Sequence, residues 1–395
     1  MNPRKQLDLR RRDVGYGLLA CTGLAPRPRA TDTAGLPTLD RRPDALVCLS
    51  VRSGFDLLLT ELAWPVGSEV LVSAITIPDI SRILREHGLI PVPVDIDPST
   101  LAVDETALAR AITPRTRAVL ATHLFGARIP LDGVVTLARK HGLAVWEDCA
   151  QAYTGDGFTG HPQSDVVMFS FGTIKTATAL GGGVLLVRDD ALRERLVSRH
   201  TTWPTQSRAA YAGRLLKFGF YLLLQNPSTY GVFWKVIQLS GRNPDTLITA
   251  WSRGFAGPDF FVRLRRQPHP ALRRLLTHRL STYDSSHVQA RAAAGEHVRS
   301  HLSTLRPIGD RATARTHWLF PLRTPDGDAL QTMLRREGFD ATRAPSSLAA
   351  LAGAPRASAA MQEVLYVPVH AAMGPAQLDH LIGRINAHSA AALSR

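Results

Sequence analysis

Between about Leu46 and Val187 the chain alternates short, β-branched apolar runs with stretches of helical periodicity, a pattern that few folds accommodate. The runs are ALVCLS, Glu69–Ile75, Ile90–Ile96, Arg117–Leu124, Leu143–Ala150, Asp165–Phe171 and Gly182–Val187. They are apolar at nearly every position and leave no face for water, so they predict strands covered on both sides. Ser53–Leu62, Ile80–His87, Asp104–Ile112 and Leu131–His141 show apolar residues at helical spacing behind polar starts, and these are the covering helices. The class is therefore α/β: a mostly parallel sheet with helices on both faces. Ligands of such sheets sit beyond the carboxyl ends of the strands, so chemistry is sought just after each run.

Past His200 the alternation stops. Residues 200–280 are rich in Arg and aromatics, with Pro and Gly breaks. A helix over Tyr283–Leu305 follows, then strand His317–Leu322, helix Asp326–Glu337, strand Val364–Val369 and a last helix over Pro375–Asn386. That order reads as a small C-terminal α+β domain. The expected division is an N-terminal segment (1–45), a large domain (46–199), a basic and apolar helical insertion (200–280), and a linking helix with the small domain (281–395).

The apolar run Val14–Ala25, behind basic residues, imitates a signal peptide. It contains three glycines and is followed by Pro and Arg instead of a small-residue cleavage site, so it is read as part of the folded chain. No stretch reaches the roughly 18–20 uninterrupted apolar residues of a spanning helix. Cys21, Cys48 and Cys149 form no disulfide framework or zinc spacing, which makes the cytoplasm the default and predicts no metal.

The net charge of +14 is uneven: residues 1–198 carry 22 basic and 22 acidic residues, and residues 199–395 carry 25 and 11. The second half therefore suits an anionic partner. Within it, Leu215–Leu224 and Tyr230–Ile237 are apolar, and Arg253–Arg279 holds seven Arg against Asp259 alone. Residues 215–279 suit either a dimer interface with a solvated Arg face or a peripheral membrane or lipid-phosphate contact. Nucleic acid is disfavoured, because Lys is scarce and no recognition motif is present.

Several strand ends carry chemistry. Ser53-Gly54 opens a helix, which makes either a phosphate site or an ordinary cap. Asp148 ends a very apolar strand and needs a cationic partner, such as a protonated pyridine nitrogen; Gln151, three residues on, could bond a ring oxygen. Ser170 precedes Lys175 by five residues, and Gly181–Gly183 opens the next run. Lys175 is one of only five lysines against 42 arginines and lies in an apolar loop, where desolvation favours the amine that forms a Schiff base. His123 and Gly126 follow another strand end, and His123 is either a ligand or a packed core histidine.

Taken in order, these residues resemble the DegT–StrS sugar aminotransferases, fold type I enzymes that use pyridoxal phosphate (PLP). The family's S-G-T-x-A-L meets Ser53-Gly54-Phe55, and H-L-Y-G meets His123-Leu124-Phe125-Gly126. E-D-A-A-Q-A meets Glu147-Asp148-Cys149-Ala150-Gln151-Ala152, and S-F-x-x-x-K meets Ser170-Phe171 and Lys175. The resemblance implies that Lys175 holds PLP as a Schiff base and that Asp148 pairs with the pyridinium nitrogen. Gln151 would face the ring hydroxyl, and Ser53, Gly54 and Ser170 would bind the phosphate. Phe55 and His123 would complete the site. The aromatic that stacks on the ring falls at Ile77, which keeps an apolar face without π-stacking.

Thr176 follows Lys175 where the family commonly has Asn. The family's N-Y-R segment, whose Asn reaches the partner subunit's phosphate, falls at Thr282-Tyr283-Asp284 and lacks both Asn and Arg. The expected activity is transfer of an amino group from a small donor to a keto or aldehyde group of a sugar, cyclitol or lipid-linked polyol, by a homodimer. A PLP-dependent sugar dehydratase and a catalytically inactive, membrane-associated protein of the same fold stay open as alternatives. The family's dehydratases tend to carry His in place of the lysine.

Overall fold

The computed structural model describes residues 1–4, 6–32, 35–241, 245, 255, 257, 259–343 and 347–393. Seven strands form the main sheet: β1 (Ala45–Cys48), β2 (Glu69–Ser73), β4 (Ile90–Val94), β5 (Thr116–Thr122), β7 (Ala144–Asp148), β8 (Val166–Ser170) and β9 (Gly183–Val187), in the spatial order β1-β9-β8-β7-β5-β2-β4. Only β9 runs against the others. Burial follows the two-residue period of a strand on both faces. Val70, Val72, Leu120, Trp146, Met168 and Leu185 pack on one side beneath α2 (Val51–Leu62), α3 (Pro78–Glu86) and α6 (Asp190–Thr201). Leu71, Val119 and Val145 face the other side, beneath α4 (Glu105–Ala111) and α5 (Asp132–Lys140).

Val167, Phe169, Val184 and Leu186 point to that same second side. They are covered by α1 (Arg11–Thr22), α7 (Arg208–Tyr221) and the helix Pro270–Ser281. The apolar run near the N-terminus is therefore a helix, and the 200–280 region shares its core. Asp13 of α1 is buried and receives Arg279 Nη1 at 2.7 Å, an ion pair across 266 residues. α8 (Pro227–Leu239) follows α7. The 215–279 region was expected to present arginines outward, yet Arg279 is 2% exposed. Arg265 chelates Asp56 at 2.9 and 3.1 Å. The Arg279 charge is spent inside the protein, and Arg265 is part-exposed but paired to buried Asp56; Arg253 lies outside the described residues.

Two short ladders fasten the C-terminal part to the large domain. β3 (Ile75–Thr76) pairs with β13 (Ala349–Ala350), and β6 (Ala127–Arg128) pairs with β11 (Ala314–Arg315). The three-stranded sheet β10 (Arg306–Pro307), β12 (Phe320–Arg323) and β14 (Val364–Val367) packs against the helices Ser286–His301, Gly327–Arg336 and Pro375–Leu393. Among the described residues, no helix is long and apolar enough to cross a membrane.

Candidate active site

A cavity of about 690 Å³ opens at the carboxyl ends of β1, β7 and β8, and the C-terminal part closes it. Asp148, Gln151, Ser170, Lys175 and Ile77, all singled out in the sequence, line it. Asp148 ends β7, where the apolar sheet removes it from water; burial raises its carboxyl above the usual range, against the Ala150 N–H that it accepts at 2.9 Å and the charge of Lys175. Burial also dominates at Lys175 and disfavours the ammonium. Asp148 opposes that effect and Arg52 adds to it, leaving the amine pushed down to about 8. Gln151 turns its carbonyl away from the cavity, accepting the Phe125 N–H at 2.8 Å. Its amide group is thereby left as the donor toward the cavity.

The cap of α2 lies three residues earlier than the sequence suggests. Ser50 caps α2: its hydroxyl accepts the Ser53 N–H at 3.1 Å and touches the Ser53 hydroxyl at 3.0 Å. Ser50, Val51 and Arg52 therefore face the cavity at the helix start. The backbone N–H groups of Val51 and Arg52, in the first turn, have no protein acceptor among the described residues. Ser53 is buried in the first turn. Gly54 is a packing residue, because a Cβ there would stand 2.3 Å from a Leu185 methyl. Phe55 points into the core, edge-on to Trp146 at 5.8 Å. None of the three forms the cavity wall.

His123 is the packed histidine of the two readings. Its Nδ1 accepts the Ile129 N–H at 3.0 Å, so Nε2 carries the proton and donates to Glu147 Oε2 at 2.9 Å. Both partners are buried.

Trp318 escaped the sequence reading. Its ring lies 4.2 Å from Lys175 Nζ, and its indole N–H donates to the Ile174 carbonyl at 3.2 Å. Gly126 makes the approach possible: φ is +89°, and a Cβ would sit 2.6 Å from both the Trp318 nitrogen and Thr316 Oγ1. Nothing local marks Trp318, which comes 143 positions after Lys175. Arg214, Lys217 and Arg291 also reach the wall.

The lysine loop is clamped from the N-terminal segment. Asp8 accepts the Ala177 N–H at 2.9 Å, the Tyr283 hydroxyl at 2.8 Å and Arg279 Nη2 at 2.9 Å. Tyr283, at the N-Y-R position, is therefore bonded within its own chain.

Residues 41–221, which contain every strand of the main sheet, match the model of the DegT/DnrJ/EryC1/StrS aminotransferase family. That segment, just under half of the chain, is similar to this family. The chain is 36% identical over 165 residues to a UDP-N-acetyl-3-dehydro-alpha-D-glucosamine 3-aminotransferase of Acidithiobacillus ferrooxidans, covering 40% of this chain and 44% of that protein. It is 40% identical over 156 residues to the erythromycin biosynthesis sensory transduction protein EryC1 of Saccharopolyspora erythraea, covering 38% and 42%. The chain thus spans less than half the length of these curated relatives. The solved structure of sugar aminotransferase CalS13 from Micromonospora echinospora superposes with a TM-score of 0.66 at 20% identity, over 98% of this chain and all of that one. The fold type I architecture therefore extends beyond the DegT/StrS segment to nearly the whole chain.

The cavity's residues fit PLP, the cofactor this family implies. A buried carboxylate, a lysine held near neutrality, an inward amide donor and a cationic helix N-terminus stand around one space.

Proposed function

We propose that this protein is a PLP-dependent aminotransferase that places an amino group on a keto or aldehyde carbon of a sugar, cyclitol or lipid-linked polyol. The observation that carries the reading is Lys175 and Asp148 facing one cavity, with the lysine near 8. Bound there, PLP supplies an aldehyde that captures amines and a ring that withdraws electrons. Asp148 would hold the proton on the ring nitrogen, and its raised pKa reflects how much that site wants a cation opposite. The Gln151 amide would donate to the ring oxygen. Ile77 would give the ring an apolar wall, and Ser170 with the first turn of α2 would hold the phosphate. Lys175 Nζ, titrating close to neutral pH, can take a proton from the substrate carbon and return it within one cycle.

The names of the relatives support sugar or cyclitol substrates, including one named for 3-amino-2,3-dideoxy-scyllo-inosose amino transfer that is 37% identical over 134 residues. Retention of a lysine at 175 argues against the dehydratase, and its place beside Asp148 argues against an inactive scaffold. A homodimer is part of the proposal: Leu216 and Phe220 on α7 and Val232 and Val236 on α8 are exposed apolar side chains suited to a second copy. With Arg265 and Arg279 committed internally, this surface is a weaker match for lipid phosphates than the sequence implied. The three cysteines are unpaired and buried, in keeping with a cytoplasmic location.

The test is spectroscopic. Purified protein supplied with PLP should develop a visible band that amino donors bleach, and Lys175→Ala should lack it. A wild type without the band refutes the proposal.

A further inference from the structure

Among the described residues, Arg214 is a charge without a counter-charge. It projects from α7 into the cavity wall, and the hydrogen bond it makes there runs from Nη1 to the Leu180 carbonyl at 2.9 Å. No carboxylate among the described residues pairs with it, although α7 is packed into the core. Burial lowers its pKa; Tyr211 opposes that and Arg52 adds to it. A part-buried guanidinium on a cavity wall, without a carboxylate, is suited to take up an anion.

Its position says which anion. A Cβ on Gly181 would lie 3.7 Å from Arg214 Nη1. Two residues on, a Cβ on Gly183 would meet the Val51 nitrogen at 2.4 Å, at the open start of α2. Gly183 is also the register partner of Ser170. The Gly181–Gly183 segment, with Leu272 packed against Gly181 and Gly182, therefore leads from Arg214 to the two groups that would hold a phosphate. Arg52, at the same helix start, is already engaged by Asp79 at 2.5 Å. The Tyr283 segment, which lacks the Asn that the family's N-Y-R segment carries there, is turned inward onto Asp8.

We propose that Arg214, delivered by the protein's own α7, is the cationic ligand of the cofactor phosphate, so that the phosphate cradle is built within one chain. This rests on the PLP reading, and the region between β9 and Tyr283 thereby has a function in the site. Guanidinium suits the role, because its fork matches phosphate oxygens in a way that a single ammonium does not.

The experiment compares PLP with pyridoxal, which lacks the phosphate, by titrating the full chain and following the visible band. Arg214→Gln should weaken PLP at least about tenfold and leave pyridoxal within about twofold. Arg214→Lys, which keeps the charge, should recover most of the loss. An unchanged PLP-to-pyridoxal ratio overturns the proposal. So does an equal loss for both compounds, which marks a structural role, or an Arg214→Lys as weak as the glutamine variant. PLP affinity that disappears as dimers dissociate would assign the ligand to a second copy and also overturn it. A wild type that captures neither compound removes the PLP reading itself.

Discussion

Replacing Asp148 with Asn isolates one of the three influences that set the lysine. Asn keeps the shape and the oxygen that accepts the Ala150 N–H at 2.9 Å, and it deletes only the charge. Burial and Arg52 both push Lys175 toward the neutral amine, and Asp148 alone pushes back, with about 8 as the outcome. A close opposite charge shifts a titrating group by roughly 1–3 units. Burial outweighs Asp148 here, so the low end applies: about one unit, or roughly 1.4 kcal/mol between the two protonation states. The midpoint should therefore fall to about 7 in Asp148→Asn. In Arg52→Gln, which removes a like charge, it should rise. With only five lysines, reductive ¹³C-methylation followed by NMR titration resolves the site, and Lys175→Arg assigns the resonance. A midpoint that climbs in Asp148→Asn, or moves the same way in both variants, would refute the electrostatic account.

Two further outcomes follow from the geometry around Trp318. Gly126→Ala forces a left-handed residue and a 2.6 Å contact with backbone, which should cost about 2–4 kcal/mol in urea unfolding; a loss under about 0.5 kcal/mol would contradict the packing described. Trp318→Leu removes the ring 4.2 Å from Nζ and with it roughly 0.5–2 kcal/mol that favours the ammonium, so the Lys175 midpoint should drop, and an upward shift would count against that contact.

The sheet was legible because strands buried on both faces must be apolar throughout. Lys175 stood out by scarcity, and Asp148 by ending an apolar run. The start of α2 was displaced because Ser53-Gly54 has the look of a cap, whereas the cap is Ser50 and Gly54 serves the helix–sheet contact with Leu185. α1 resembled a leader because the partner of its one buried acid, Arg279, lies 266 positions away. Phe55 and His123 sit in motifs yet face the core, since a motif fixes the order of residues and the helix and strand periods fix where each one points. Trp318 and Arg214 come from elements joined to the site only by the tertiary fold, so no spacing in the chain announces them.

The triple engagement of Asp8 has a practical side. One carboxylate near the N-terminus bolts down the loop that carries the reactive amine, through Ala177, Tyr283 and Arg279. Proteolytic nicking ahead of α1, or a bulky fusion at that end, would slacken the lysine without touching the cavity. On the proposed function, preparations trimmed there would read as weak cofactor binders when the fault is a missing latch, and a purification handle belongs after the last helix.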